Sequence, residues 1–185
     1  MTARPTQGKR EEIIRAALRE YRRNAISGTT LKDVARAAEM PLGNLYYYVK
    51  TREELILAVL DECAHDLQAL LDRLSPLDDR AWLAAYLDWL LEDPAEASQL
   101  GCPFGALATE LRALGDPAAD RAAEIVAHYR QAVAQRTEAL TGGDPDRVFL
   151  VVQGAYTVAK VLNDPVLYQR SIGQLRALLH PTSSR

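Results

Sequence analysis

The sequence predicts an all-α protein, and three observations carry that prediction. Apolar residues recur at i, i+3, i+4 and i+7 through most segments of the chain. Runs of β-branched residues are few. Asp-Pro pairs and glycine-containing breaks divide the chain into helix-sized pieces. With 185 residues, 48% of them hydrophobic, there is room for one sizeable core and a small satellite domain.

The first helix is expected over residues 9–25, where Ile13, Ile14, Ala17, Leu18 and Tyr21 form a stripe and Arg15, Arg19, Arg22 and Arg23 lie mostly off it. "SGTT" interrupts it. Thr30 is a good N-cap for a short helix over 31–38, and Asp33 at its third position completes a capping box. Glu39-Met40 makes a tight turn, and Pro41 suits the first turn of a third helix running to about residue 49. A long helix follows over 52–74, with apolar positions at 55, 59, 63, 67, 70 and 74. Further helices are expected at 79–92, 103–113 (opened by "GCP"), 118–140, 145–162 and 165–179. "EDPAEASQLG" reads as a break, and "PTSSR" as a frayed tail.

Net charge separates the chain into two parts. Residues 1–52 carry 11 Lys/Arg against 5 Asp/Glu, a balance of +6, while residues 53–185 carry 11 against 20, a balance of −9; together they give the net −3. A basic head on an acidic body points to a polyanionic partner. The longest apolar stretch, "VFLVVQGAYTVAKVL", is short and interrupted by Gln153 and Lys160, which excludes a membrane span, and the polar N-terminus carries no signal-peptide core. Only Cys63 and Cys102 are present, so a disulfide scaffold is excluded and a cytoplasmic location is expected.

"MPLGNLYYYVKT" places Tyr46, Tyr47 and Tyr48 in succession. Consecutive helical residues point about 100° apart, so the three cannot share a face. Leu45 and Val49, four apart, define the inward direction; Tyr47 then points outward beside Gly43, and Tyr46 and Tyr48 flank it. Three short helices in a basic segment, with a tight turn before the third, read as a helix-turn-helix that lays this edge in a DNA major groove. Tyr47 faces base edges, Tyr46 and Tyr48 reach the phosphates, Gly43 allows close backbone approach, and Asn44 suits an adenine edge. Thr30, Lys32 and Lys50 are candidates for holding the DNA backbone. The competing reading is that the tyrosines fill gaps between the head and the long helix.

"TTLKDVARAAEMPLGNLYYYVKTREELILAVL" resembles the DNA-binding head of the TetR family of one-component transcriptional regulators, over roughly residues 9–60. The capped second helix, the Leu45-Tyr46 pair, the aromatic-x-x-Lys exit ending at Lys50, and Glu54-Leu55 carry the likeness. It implies a homeodomain-like three-helix head over 1–51, with Pro41 and Leu42 added to the DNA-contacting set. It also implies a body of about six helices over 52–185, which binds a ligand and dimerises through its last two long helices. The protein would then be a repressor released from a palindromic double-stranded DNA operator by a small molecule. Two positions depart from the commoner pattern: Glu39 stands where Gly is usual, and Pro41 where many members have Ser. A non-glycine at 39 must accept a left-handed conformation or a different turn.

In the body, the helix over 145–162 is apolar nearly all round and needs cover on two sides, from its own body and from a homodimer partner. "LGCPFGALATEL" places Cys102 before Pro103 at an expected helix N-terminus, where the dipole favours a thiolate. The resembling branch with Gly-Cys here and with Gly154, Ala155, Ala159 and Lys160 includes sensors of oxidants and electrophiles, which makes Cys102 and Lys160 a candidate reactive pair. The alternative is a structural thiol and a lysine that pairs elsewhere. Trp82, Tyr86 and Trp89 fall on one helical face and, with Phe104, Tyr129 and Tyr156, are either core or the walls of a site for an apolar or aromatic effector. The effector is unknown. Cys63 and His65 do not share a face, so no metal site is expected; no cofactor loop, acid–base pair or nucleophile triad is present, and the chain does not read as an enzyme. The rival function is a helical thiol-dependent or ligand-binding protein that uses Cys102 without reading DNA.

Overall fold

The computed structural model describes residues 5–180, with side chains from residue 8 onward. The C-terminal tail read as frayed lies outside the described residues. Among the described residues ten α-helices follow one another: α1 (Pro5–Asn24), α2 (Leu31–Ala37), α3 (Leu42–Tyr48), α4 (Arg52–Leu74), α5 (Asp79–Leu90), α6 (Pro94–Leu100), α7 (Ala106–Leu114), α8 (Ala119–Thr137), α9 (Arg147–Leu162) and α10 (Pro165–Gln174). Short 3₁₀ turns follow α8 and α10. Among the described residues the only regular structure is helical, as the sequence predicts.

The chain forms two compact units, residues 1–66 with 103–125, and residues 67–102 with 126–185. The core of the first is built from Ile13, Ala17, Val34, Leu45, Val49, Leu55 and Val59. In the second, Leu67, Leu83, Leu87, Val133, Val148, Val152 and Ile172 pack around a set of buried tyrosines. All six apolar positions expected along α4 are buried: Leu55, Val59, Cys63, Leu67, Leu70 and Leu74.

Local chemistry sets the boundaries. Thr30 caps α2: its hydroxyl accepts from the Asp33 amide at 3.3 Å, and the Asp33 carboxylate accepts the Thr30 amide at 3.0 Å. α2 closes through Glu39, which takes φ 52°, while Glu39 donates its N–H to the Arg36 carbonyl at 3.1 Å and Met40 donates to the Ala35 carbonyl at 3.0 Å. That is a left-handed helix closure built without glycine. Asp93 and Asp164 each cap a helix whose next residue is proline.

Two expectations are corrected. The stretch read as a break contains α6, which packs against α9 and α10, so among the described residues seven helices lie from residue 52 onward, where about six were expected. The helix expected from residue 103 begins only at Ala106.

Candidate nucleic-acid interface

α3 is seven residues long and turns one edge to the core. Leu45 and Val49 are completely buried, Tyr47 is 79% exposed, Tyr46 is 43% exposed and Tyr48 is half-buried. The side chains therefore lie as the helical wheel places them. Gly43 and Asn44 are exposed on the same edge, and a methyl group added at Gly43 would meet open space. Pro41, in extended backbone, starts the helix without a side-chain cap, and Leu42 behind it is half-buried.

Two of the flanking cations, Lys50 and Arg36, are held in place. The Lys50 ammonium donates to the Tyr46 carbonyl at 2.6 Å, closing the end of α3, while the Lys50 amide donates to Glu54 at 2.8 Å. Lys32 is exposed near the start of α2, and Arg36, one turn on, pairs with Asp33 at 2.6 Å. The Thr30 hydroxyl donates to Asp33 at 2.6 Å as well as accepting from its amide. In this geometry Thr30 is a cap, and its hydroxyl would donate to a phosphate only by leaving Asp33. Bonds from Thr30, outweighing the small effect of burial and aided by Arg36, hold the Asp33 carboxyl below its ordinary range.

A polar cluster that the sequence did not reveal lies within the same unit. The α1–α2 turn carries Ala25 at φ 66° and Gly28, where a Cβ would stand 2.3 Å from the Asn24 carbonyl oxygen, so only glycine fits. The Glu110 carboxylate on α7 accepts the Ile26 amide at 2.7 Å, the Ser27 amide at 2.8 Å and the Ser27 hydroxyl at 2.7 Å. The Arg52 guanidinium donates to the Ile26 carbonyl. Burial raises the Glu110 carboxyl, but the bonds from Ser27 and Ile26 and the nearby Arg52 charge outweigh it and leave it below its ordinary range. No local pattern announces a carboxylate whose partners are 83 and 84 residues away.

In the second unit the aromatic candidates are packed against one another. Trp82 stacks on Tyr86 at 5.0 Å between ring centroids, Tyr129 meets Phe149 edge-on at 5.3 Å, and Tyr156 tilts against Tyr168 at 4.9 Å. The hydroxyls of Tyr86 and Tyr129 bond to each other, and the Tyr168 hydroxyl donates to the Leu90 carbonyl at 3.0 Å. Burial pushes the Tyr86, Tyr129, Tyr156 and Tyr168 hydroxyls far above the usual phenol range. Trp82 also lines a cavity of about 260 Å³ together with Gln68, Leu71, His128, Gln135 and Arg136. Trp89 is half-buried, and Phe104, in the first unit, is buried.

Cys102 is corrected in position. It follows Gly101, the C-terminal cap of α6, and precedes α7 by four residues, so it does not stand at the start of α7. It is buried, and its sulfur accepts from the Gln153 amide group at 3.6 Å. The Lys160 ammonium donates to the Leu100 carbonyl at 3.3 Å, satisfying the end of α6. Among the described residues no group of three or more His, Cys, Asp or Glu side chains is placed to hold a metal ion, and no helix is long and apolar enough to cross a membrane.

Comparison with known proteins bears on the whole arrangement. Residues 13–59 match the family described as bacterial regulatory proteins, tetR family. An uncharacterized HTH-type transcriptional regulator in the lacX 3′ region of Lactococcus lactis subsp. lactis is 28% identical over 169 residues, 84% of this chain and 85% of that one. The HTH-type transcriptional regulator TtgR of Pseudomonas putida is 33% identical over 78 residues, which are 42% of this chain and 37% of TtgR. The fold is shared with a TetR transcriptional regulator from Chloroflexus aurantiacus J-10-FL, at TM-score 0.74 and 19% identity over 95% of this chain and 96% of that one. It is shared equally with the reduced form of Escherichia coli NemR, at TM-score 0.73 and 18% identity over 96% of this chain and all of that one.

Proposed function

We propose that this chain, a DNA-binding transcriptional regulator of the TetR family, works as a homodimeric repressor that leaves a palindromic operator when a small molecule binds its body. In this reading residues 1–51 are the reading head, and residues 52–185 hold the effector and the dimer contact. The observation that carries it is the edge of α3: a phenol 79% exposed at Tyr47, directly opposite two fully buried anchors, Leu45 and Val49. An exposed tyrosine with apolar ring and polar tip gains from base and phosphate contacts what water alone does not give it.

The dimer follows from α9. Val148, Phe149, Val152, Ala155, Tyr156 and Ala159 are buried within the chain, while Leu150, Val151, Val158, Val161 and Leu162 form an exposed apolar stripe on the other side. Such a stripe wants a second copy against it. Two heads then engage two half-sites about 34–36 Å apart, or a multiple of that. The effector that suits the body is apolar or aromatic, because tyrosine and tryptophan rings make up its interior. A thiol-reactive electrophile meets Cys102 only after the loop around it opens, since 5% of that residue is exposed. Whatever the effector, it must bind the released state more tightly than the operator-bound one.

Electrophoretic mobility shift with the DNA just upstream of the protein's own gene tests this. A shifted band of two protomers per duplex, outcompeted by the same DNA and not by a random duplex, is expected. Equal competition by both duplexes would sink the repressor reading.

A further inference from the structure

The cluster around Glu110 belongs to the same compact unit as the reading head, and it does more than pack. The α1–α2 turn closes on itself: Thr29 donates its hydroxyl to the Ala25 carbonyl at 2.7 Å and its amide to the Ile26 carbonyl at 3.2 Å. The left-handed Ala25 then leaves two successive N–H groups, Ile26 and Ser27, converging on one point. Successive N–H groups after such a turn make a concavity that binds anions. Here the anion is supplied by the chain itself, from α7, which packs on α1. Each oxygen of the carboxylate is used, one by the Ile26 amide and the other by the Ser27 amide and hydroxyl. Ile26 is gripped at both polar atoms, because Arg52 at the start of α4 takes its carbonyl. The turn so fixed leads in a few residues to Thr30, the cap of α2, and α2 carries the turn into α3.

We propose that Glu110 is a positioning residue for DNA reading: it latches α7 to the α1–α2 turn and holds α2 and α3 at the angle at which two heads engage one operator. The proposal rests on the DNA-reading function above. It makes α7 a working part of the head although it lies more than fifty residues further along the chain, and it predicts that loosening the latch costs operator discrimination before it costs folding. Charge-assisted bonds of this kind are roughly twice as strong as neutral ones, so a single carboxylate suffices as a latch.

The test uses the full-length protein with Glu110→Gln, Glu110→Ala and Ser27→Ala. Glutamine keeps the size of glutamate but presents an NH₂ to one of the converging N–H donors, so it breaks the latch without opening a cavity. Amide hydrogen exchange at Ile26 and Ser27 is expected to quicken by about tenfold or more in both Glu110 variants, with α3 amides little changed and the thermal midpoint lowered by only a few degrees. Affinity for the upstream DNA is expected to fall by about tenfold, the size of losing one charge-assisted bond, with random duplex bound as before. Ser27→Ala should lose about threefold, and adding it to Glu110→Gln should lose nothing more. Wild-type exchange at both amides, or a wild-type ratio of upstream to random affinity in Glu110→Gln, overturns the proposal. Should the unaltered protein fail to prefer its upstream DNA, the repressor reading fails instead, and the exchange measurement still decides the latch.

Discussion

Tyrosine is used in opposite ways on α3 and in the second unit. On α3 Tyr46 and Tyr47 stand at the surface, with the rings outward and the buried anchoring left to Leu45 and Val49. In the body Tyr86, Tyr129, Tyr156 and Tyr168 are enclosed, and hydroxyl bonds join Tyr86 to Tyr129 and Tyr168 to the Leu90 carbonyl. The residue type is the same; the neighbours on the helix decide its role. Where leucine and valine already supply the anchor, the phenol is free to face a partner. Where the phenol is itself the anchor, its hydroxyl must find a bond inside, since an unmet buried hydroxyl costs about 1–3 kcal/mol. The contrast teaches that an aromatic run marks a surface for recognition only when the same helix shows a separate, sufficient core stripe.

The strongest way to break this contrast is to truncate one tyrosine of each kind. Tyr86→Ala removes a ring stacked on Trp82 and strands the Tyr129 hydroxyl, and should lower stability by about 3–5 kcal/mol. Tyr47→Ala removes a ring that 79% exposure leaves outside the core, and should stay within about 0.5 kcal/mol. Urea denaturation of both variants measures the difference; similar losses at the two positions would show that the α3 tyrosine is part of the fold.

Binding should invert the ranking. Tyr47→Ala is expected to weaken binding to the upstream DNA by about 1–3 kcal/mol while leaving random duplex nearly untouched. Lys50→Ala should weaken both and reduce the slope of log affinity against log salt by about 1, as the loss of one phosphate contact does. Its ammonium also closes α3 through the Tyr46 carbonyl, so a small drop in stability accompanies the change. Fluorescence anisotropy across a salt series separates the two effects.

Alkali sharpens the comparison from the other side. The enclosed phenols have folded-state pKa values raised above the ordinary 10.0. Both states are neutral below that pH, so their contribution is fully present there. As pH rises past 10 the unfolded chain ionises first, and each enclosed tyrosine then costs the folded state about 1.4 kcal/mol per pH unit. Absorbance at the phenolate band should therefore rise for the enclosed tyrosines together with loss of the helical circular dichroism signal, not before it.

How much of this was legible follows from the range of each interaction. The six-position stripe of α4, the Thr30–Asp33 cap and the outward Tyr47 depend on residues within one or two turns, and periodicity alone places them. α6 was legible too: Asp93-Pro94 followed by Glu96 is the same start signal as Asp164-Pro165, and the Asp93 carboxylate does accept the Glu96 amide at 2.8 Å. Its seven residues were outweighed by their polar content. Cys102 lies off a helix end because Pro103 opens a turn rather than a helix. Gln153 at the Cys102 sulfur and Glu110 at Ile26 join residues 51 and 84 positions apart, and no local pattern encodes such meetings.

The smallest predicted effect concerns how helices close in the two units. α2 in the head and α9 in the body end with the same pair of bonds: Glu39 and Met40 donate to Arg36 and Ala35, and Asn163 and Asp164 donate to Lys160 and Ala159. Both closures need a residue at positive φ, 52° at Glu39 and 50° at Asn163. Asparagine tolerates that region because its short side chain bonds locally; glutamate has no such compensation and carries the Cβ–carbonyl crowding in full. Glu39→Gly should relieve roughly 1 kcal/mol of that strain, offset in part by the greater freedom of glycine in the unfolded chain. Asn163→Gly, with little strain to relieve, should give no net gain. A rise in the denaturation midpoint for the first and none for the second is the expected result of parallel urea titrations. Equal responses would mean that the head turn, on which the setting of α3 depends, is no more strained than its counterpart in the body.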